Sequence, residues 1–251
     1  MEPTVTRRFW WRQRANLVLN WVFPNAEELC VLCGRPVVGA AAATEEKSNA
    51  KLNMCLFCAQ DLSTCDATPT AQTLRLGGSG QLMTVHSSLV YDHLVRTMVR
   101  SWKYDGVIAL TNWFAGHVAS VIGQQSLDPT AGTLVVPVPS TRDRTQKRGY
   151  DHVRLLTNQI SLLCHLHSAP ALKRLQNGDG FTQSQTAKSA VERQRGLSQV
   201  YLHNKEVSVR GQRIFLVDDI VTTGATLSAC AERLMHAGAA SVECFVIARV
   251  L

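Results

Sequence analysis

The sequence lacks any apolar run approaching the roughly 18 residues that a membrane-spanning helix requires, so no such span is predicted. Charge is also sparse, since only 18% of the 251 residues are charged whereas 45% are hydrophobic. A chain of this composition can bury a core, which argues against global disorder. Its length accommodates one ordinary domain with a small module, or two small domains.

Acidic residues are the scarcer charged type, because 19 Asp and Glu residues stand against 26 Lys and Arg residues, for a formal net charge of +7. A surface with this surplus suits partners that carry phosphate, including nucleic acid. Solubility alone would account for the same surplus. Charge therefore admits a phosphate-binding function without selecting it.

The N-terminus also lacks the features of a signal peptide. The apolar stretch at 17–23 is short, contains Asn20 and stops at Pro24 without a small-residue cleavage site. We therefore expect residues 1–29 to form a helical lead-in and the protein to be cytoplasmic. If the lead-in is amphipathic, it would offer a surface for docking on a partner or a membrane.

The eight cysteines do not form the disulfide framework that is typical of small secreted chains. Four of them form two close pairs, Cys30 with Cys33 and Cys55 with Cys58. Four thiolates at this spacing are typical of a tetrahedral structural Zn2+ site, and Gly34 suits the tight turn after the first pair. We assign residues 30–65 to this module. Four unbound thiols are the alternative, and Cys65 could replace one ligand.

Beyond the cysteine module, predicted strands alternate with predicted helices. Residues 66–80, rich in Thr, Pro and Gly, are interpreted as a linker. Strands are predicted at 82–91, 133–138, 214–217 and 241–250, and helices at 94–104, 110–122, 152–166 and 226–237, the last capped by Gly238. Three further cysteines fall at apolar positions and are expected in the core: Cys164, Cys230 and Cys244. The alternation predicts an α/β domain over residues 81–251 with a mainly parallel sheet.

The segment from Ile214 to Thr226 carries the strongest indication of function. An apolar strand is followed by Asp218 and Asp219, then by a loop of small residues that opens a helix. Ligands of parallel α/β sheets bind beyond the carboxyl ends of the strands. The loop amides, hydroxyls and helix N-terminus favour a phosphate, whereas the carboxylates suit the adjacent hydroxyls of a ribose and a solvated Mg2+. The loop residues concerned are Val221, Thr222, Thr223, Gly224, Ala225 and Thr226.

The run from Val217 to Thr226 resembles the phosphoribosyl pyrophosphate motif of type I phosphoribosyltransferases. The resemblance implies that Asp218 and Asp219 contact the ribose hydroxyls and act as the catalytic carboxylates. It also implies that the loop at 222–226 holds the 5-phosphate. The alternative is that the carboxylates merely end a strand and that Thr226 merely caps a helix.

A second candidate site follows the predicted strand at 133–138. Five basic residues cluster there among only two acidic ones: Arg142, Arg144, Lys147, Arg148 and Arg154. Guanidinium groups match phosphate oxygens, so this stretch could clamp a pyrophosphate, and a solvated basic loop is the alternative. The candidate contacts are Pro137, Val138, Arg144, Arg148 and Gly149.

Several stretches together resemble the ComF family. They are Val136-Pro137-Val138-Pro139 with Arg144, Arg148-Gly149-Tyr150-Asp151, Gln185-Thr186 with Glu192-Arg193, and Trp102-Lys103-Tyr104, in the expected order after the paired cysteines. Phe-Asn is commoner in the family where Tyr150-Asp151 stands, and Gly is commoner where Ala187 stands. These departures fall at pyrophosphate and base-side contacts.

The ComF resemblance implies a protein of DNA uptake and natural transformation. Such a protein would bind phosphoribosyl pyrophosphate with Mg2+ and single-stranded DNA beside a helicase-like partner, with the stretch 142–154 and the zinc module contacting phosphates. The intact Asp218 and Asp219 loop leaves a second hypothesis open. That hypothesis is an active phosphoribosyltransferase of nucleotide salvage, although the sequence shows no distinctive hood for an acceptor base.

Overall fold

The computed structural model describes residues 29–37, 54–63, 69–76, 80–125, 132–175 and 200–250. These residues fall into two compact units, one reaching to Ser63 and one beginning at Pro69. Several sequence-based predictions lie outside the described residues: the helical lead-in, Cys65, and the stretch with Gln185, Thr186, Glu192 and Arg193. No helix in the described part of the chain is long and apolar enough to cross a bilayer.

The first unit consists of a tight turn and a short helix. The Cys30 carbonyl accepts the Gly34 N–H at 2.9 Å, and the Cys30 N–H donates to the Arg35 carbonyl at 2.8 Å. Gly34 has φ of 68°, a left-handed conformation that favours glycine. Helix α1 spans Leu56–Ser63. One cysteine pair therefore lies on the turn, and the other flanks the start of α1.

The second unit alternates strands and helices. In chain order it contains β1 (Thr70–Arg75), β2 (Leu82–Val90), α2 (His93–Tyr104), α3 (Leu110–Ile122), β3 (Thr133–Pro137), α4 (Arg142–Arg148), α5 (His152–Cys164), β4 (His167–Ser168), β5 (Leu172–Arg174), β6 (Tyr201–His203), β7 (Arg213–Val221), α6 (Ala225–His236) and β8 (Ser241–Arg249). The predicted α/β class is confirmed by this order.

The main sheet has the strand order β1-β2-β8-β7-β3-β4. Only the β1–β2 pair is antiparallel among these neighbours, so the prediction of a mainly parallel sheet is also confirmed. The central strands β7 and β8 are largely buried because helices cover both faces of a parallel sheet. Strands β5 and β6 form a separate antiparallel pair.

Two crossovers place helices on opposite faces of the sheet. The chain moves outward from β3 through α5 to β4, and in the opposite direction from β7 through α6 to β8. Because both crossovers connect parallel strands, the right-handed rule puts α5 on one face and α6 on the other. Helix α3 packs on α5, β2 and β8, while α6 packs on β6, β7 and β8. The carboxyl end of β7 therefore opens between two helical layers.

Three local expectations were wrong. Residues Thr70–Arg75, placed in the predicted linker, form edge strand β1, whose threonines suit a half-exposed strand. Strand β7 continues through both aspartates to Val221, because its pairing with β8 persists to that residue. The predicted basic loop is helix α4, which Thr141 caps by accepting the Arg144 N–H at 3.3 Å. Its C-terminal Gly149 has φ of 79°.

Candidate functional site

Asp219 lies near the end of β7, between a lysine ammonium from α2 and a histidine imidazole from α5. Its Oδ2 atom is 2.7 Å from Lys103 Nζ in α2 and 2.7 Å from His152 Nε2 in α5. Its Oδ1 atom accepts the Ile220 N–H at 2.6 Å. Burial opposes ionisation of this carboxyl, but the His152 hydrogen bond and the Lys103 charge outweigh it, and the pKa of Asp219 is lowered to about 2. Asp219 is therefore a carboxylate in the ligand-free protein.

Asp218 points to the other face of the sheet, because side chains alternate along an extended strand. Its charge contributes to raising the pKa values of Tyr201 in β6 and of Cys230 in α6, which places it on the α6 side. Burial and then the neighbouring charge of Asp219 raise the pKa of Asp218 to about 8, against the opposing hydrogen bond from the Asp219 N–H at 2.9 Å. Asp218 is therefore much harder to ionise than Asp219.

His152 connects Asp219 to the basic helix α4. The guanidinium of Arg148 donates from Nη1 to His152 Nδ1 at 2.8 Å. A neutral imidazole that accepts a hydrogen bond at Nδ1 carries its proton on Nε2. His152 therefore donates from Nε2 to Asp219. The edge of the Trp102 indole packs against the imidazole with ring centroids 5.0 Å apart. The Trp102 contact fixes the orientation of the His152 ring, which connects Arg148 to Asp219.

A cleft of about 460 Å³ lies beside this chain of contacts. Its lining brings α2 and the region of α4 together: Lys103, Tyr104, Asp105, Gly106, Arg144, Lys147, Arg148 and Tyr150. Arg148 also lies over the Tyr104 ring, 4.9 Å from its centroid, which holds the guanidinium in place. Four cations against one carboxylate make this cleft suited to an anion with several charges.

The structure gives different positions to the five residues predicted to clamp a pyrophosphate. Arg144 and Arg148 both line the cleft. Gly149 is the left-handed residue that ends α4. Pro137 is the last residue of β3, and the buried Val138 follows it, with its N–H donating to the Val217 carbonyl at 2.9 Å. These two residues are positioned to support the end of β7 from the neighbouring strand.

The loop after β7 presents two exposed hydroxyl residues, Thr222 and Thr223, ahead of α6. Gly224 has φ of 74° and starts α6 without a side-chain cap. A Cβ atom at Gly224 would lie 2.2 Å from Leu74 Cδ1, so β1 packs closely over this glycine. Ala225 and Thr226 open the helix, and Val221 is buried at the end of β7. The helix N-terminus and the threonines together form a suitable cradle for a phosphate.

Two polar residues of this site were not predicted from the sequence, Lys103 and His152. Lys103 was noted only as part of a family motif, and its position in the last turn of α2 gives no sign of a distant carboxylate. His152 is the first residue of α5, after Asp151, whose side chain caps the helix by accepting the Arg154 N–H at 3.2 Å. The structure buries His152 to 4% exposure, whereas the sequence offered only a histidine that directly follows a helix-capping aspartate.

The four paired cysteines form a separate cluster in the first unit. The sulfur atoms of Cys30, Cys33, Cys55 and Cys58 all lie within 4.8 Å of one another. Tetrahedral zinc with Zn–S bonds of about 2.3 Å requires sulfurs about 3.8 Å apart, and Cys33 and Cys55 are at 3.6 Å. Burial raises the pKa of the Cys30 thiol, but backbone N–H groups, the first of them from Cys55, outweigh it and lower that pKa to about 7. Four thiols arranged in this way can hold a metal ion such as zinc.

The other cysteines take structural positions. None of the described cysteines forms a disulfide. Cys230 and Cys244 are fully buried, as predicted, whereas Cys164 is only half-buried at the end of α5.

Comparison with known proteins supports both the domain type and the wider family. The model of the phosphoribosyl transferase domain matches residues 171–251, which include β7, its aspartates and the following loop. Competence protein ComFC of Bacillus subtilis is 28% identical over 88% of this chain and 78% of its own length. The chain is thus similar to ComF-family proteins along most of its length, and its last third matches a phosphoribosyl transferase domain.

Two further ComF-like relatives match a shorter part of the chain. DNA utilization protein YhgH of Escherichia coli K12 is 32% identical over 47% of this chain. Competence protein F of Haemophilus influenzae is 30% identical over 46%. Each of these matches spans 49% of the relative, about half its length.

Proposed function

We propose that this ComF-like protein binds phosphoribosyl pyrophosphate with Mg2+ at the carboxyl end of β7. The observation that carries the proposal is the position of Asp219, which lies within hydrogen-bonding distance of Lys103, a lysine that also lines the cationic cleft. A ribose hydroxyl site and a pyrophosphate site would be adjacent in this arrangement. The loop at 222–226 would take the 5-phosphate at the N-terminus of α6.

Mg2+ would offset part of the pyrophosphate charge, because it is a hard ion that prefers oxygen ligands and retains several waters. Asp218 and Asp219 are the carboxylates that would orient the ribose and the hydrated ion. Asp219 is already ionised, whereas Asp218 must lose a proton because its pKa is raised to about 8. Ligand and cation would therefore favour the charged form of Asp218.

Calorimetric titration with phosphoribosyl pyrophosphate, with and without Mg2+, tests this site. We expect Mg2+-dependent binding to the wild type and a loss of at least about 30-fold, or roughly 2 kcal/mol, in Asp219→Asn. Glu206→Gln is the control for loss of one negative charge, because Glu206 is exposed in its pair with Lys173. Unchanged affinity in Asp219→Asn would contradict the assignment.

We infer that the cellular role is in DNA uptake, with single-stranded DNA as a second ligand. The names of the relatives refer to competence and DNA utilization, and those roles are carried to this chain as a proposal. The cleft supports it by combining Arg144, Lys147 and Arg148 with Tyr104 and Tyr150, since cations contact phosphates and aromatic rings stack on bases. A helicase-like partner and a cytoplasmic location belong to the same proposal.

Fluorescence anisotropy with a labelled oligothymidylate tests the DNA proposal. Affinity should fall with salt, and Arg148→Gln should weaken binding and reduce the salt slope by about one unit per lost phosphate contact. Arg96→Gln is the matched control, because Arg96 is exposed on α2 outside the cleft. Binding that is independent of salt, or equal in the two variants, would contradict a role for the cleft.

The second candidate is an active phosphoribosyltransferase with an unknown acceptor. It is favoured by the presence of both aspartates and the loop in the matched domain. Catalysis would rest on stabilising the departing pyrophosphate with the cleft cations. A panel of bases tested for pyrophosphate release would decide, and absence of turnover despite ligand binding would favour a binding role.

For the first unit we propose a structural Zn2+ held by Cys30, Cys33, Cys55 and Cys58. Metal analysis of the purified protein should give about one zinc per chain, with loss of the metal in Cys33→Ser. Cys164→Ser is the matched control, because Cys164 lies at the end of α5 outside the cluster. Full zinc content in Cys33→Ser would contradict the ligand set.

A further inference from the structure

We propose that Lys103 is an anion-binding residue that contacts the pyrophosphate of the bound ligand while remaining next to Asp219. The inference rests on the proposed phosphoribosyl pyrophosphate site and adds a ligand contact from α2, outside the matched domain at 171–251. Lys103 would then join the carboxylate of Asp219 directly to the cationic cleft.

The first argument is position. Lys103 Nζ is 2.7 Å from Asp219 Oδ2, and the same side chain lines the cleft together with Arg144, Lys147 and Arg148. The Lys103 side chain is 16% exposed, so its ammonium is partly shielded yet reachable from the cleft. An ammonium carries three N–H donors and can serve a carboxylate and a phosphate oxygen at once.

The second argument is that Asp219 does not depend on Lys103 alone. His152 donates to the same Oδ2 atom at 2.7 Å, and the Ile220 N–H donates to Oδ1 at 2.6 Å. If Lys103 turns toward a phosphate, these two donors still stabilise the carboxylate. The pair can therefore exchange partners without leaving a buried charge unsatisfied.

The third argument is that the backbone around Lys103 is held in place. Trp102 is fully buried and its indole N–H donates to the Thr111 hydroxyl at 2.9 Å. The Tyr150 hydroxyl donates to the Trp102 carbonyl, which ties the end of α2 to the segment after α4. The two walls of the cleft are thus joined next to Lys103, and only the lysine side chain has to move.

Three ligands separate the contact with pyrophosphate from an effect through Asp219. Ribose 5-phosphate carries the hydroxyls and the monoester, inorganic pyrophosphate carries only the leaving group, and phosphoribosyl pyrophosphate carries both. We expect Lys103→Met to weaken phosphoribosyl pyrophosphate and inorganic pyrophosphate at least about tenfold, and to change ribose 5-phosphate affinity less than about threefold.

Two more variants control for charge and folding. Lys173→Met removes an exposed lysine, whose side chain is 60% exposed, and should leave all three affinities unchanged. Lys103→Gln keeps a donor for Asp219 but removes the charge, and it should show the same selective loss of pyrophosphate affinity. This variant replaces Lys103→Met if the Met variant fails to fold. Circular dichroism and thermal unfolding of each variant check that the fold is retained.

Each outcome decides the matter. Tighter binding of ribose 5-phosphate and phosphoribosyl pyrophosphate by Lys103→Met would show that Lys103 only occludes Asp219, which would overturn the inference. Equal weakening of all three ligands would overturn it too, since Lys103 would then act through Asp219. Wild-type binding of phosphoribosyl pyrophosphate that Lys103→Met and Lys103→Gln leave unchanged would refute the inference and keep the proposed function. If inorganic pyrophosphate binds in a way that depends on Lys103 but phosphoribosyl pyrophosphate does not bind, the proposed function is refuted and Lys103 is kept as an anion-binding residue. If no ligand binds, both the inference and the proposed function are refuted.

Discussion

Asp218 and Asp219 are adjacent in β7, yet their surroundings shift their pKa values in opposite directions. Asp219 meets Lys103 and His152 on the face of α2 and α5, and its pKa is lowered to about 2. Asp218 faces the side of α6, where burial raises its pKa to about 8. The comparison shows that strand alternation can place two neighbouring aspartates in surroundings that shift their pKa values in opposite directions.

Among variants that test this contrast, Asp219→Asn should cause the largest change in the free energy of unfolding. The substitution leaves Lys103 without its carboxylate, so we expect a loss of about 2 kcal/mol in the free energy of unfolding at pH 7. Because the pKa of Asp219 is lowered from 3.8, its stabilisation is present above that value and is lost as the pH falls toward about 2. Urea unfolding at pH 7 and pH 3 should show a smaller difference between variant and wild type at the lower pH.

Asp218→Asn should raise the free energy of unfolding, whereas Asp219→Asn lowers it. The folded pKa of Asp218 is raised from 3.8 to about 8, so the neutral form favours the fold at low pH and this advantage is lost as the pH rises to 8. An amide has no charge to desolvate, and we expect the variant to be more stable than the wild type by about 1–2 kcal/mol at pH 9. Guanidinium unfolding at pH 5 and pH 9 measures the stability of the variant relative to the wild type. If the gain in stability does not grow with pH, the raised pKa of Asp218 is contradicted.

A smaller effect is expected for Gly224→Ala in the loop beside Asp218. Alanine is disfavoured at φ of 74° by about 1 kcal/mol, and its Cβ atom would also displace Leu74. Gly211→Ala is the matched control, because Gly211 has φ of 71° with open space around it. Thermal unfolding of the two variants separates the backbone cost, which they share, from the Leu74 contact. Equal losses would show that β1 yields freely.

The smallest effect concerns the two arginines on the Asp219 side. Arg148 bonds to His152 and lies over Tyr104, so Arg148→Met should lower the free energy of unfolding by about 0.5–1 kcal/mol. Arg144 is exposed on α4, and Arg144→Met should cost less than about 0.5 kcal/mol. Urea titrations at low and moderate salt measure the pair. Equal losses would mean that the Arg148 contacts do not stabilise the fold.

The class of the second unit and most of its elements were predictable from periodicity. The predicted helices at 94–104, 110–122, 152–166 and 226–237 each match an observed one within two residues, because their apolar spacing is regular. Strand β1 was missed because its short Thr-rich sequence is half-exposed and depends on pairing with β2. Helix α4 was missed because it is short and has no buried residue, so its sequence carries no apolar periodicity, and only the caps at Thr141 and Gly149 mark its ends.

The site was predictable only where its residues are contiguous. Asp218, Asp219 and the loop follow one another in the chain, so their order alone indicated a ribose and phosphate site. His152 is 67 residues from Asp219, and only the packing of α5 on the sheet brings them together. The sequence also could not assign the two aspartates to different faces while the strand was expected to end at Val217. Side-chain direction followed only from the continuation of pairing to Val221.

Strand β1 has a practical consequence for anyone who divides this protein. A fragment beginning at residue 81, the boundary that the sequence suggests, would remove β1 and leave the antiparallel edge of β2 bare. It would also remove Leu74 and uncover Gly224 in the loop next to α6. Such a fragment would be prone to self-association through the exposed edge of β2, whereas one that begins before Pro69 would keep β1 paired over that edge.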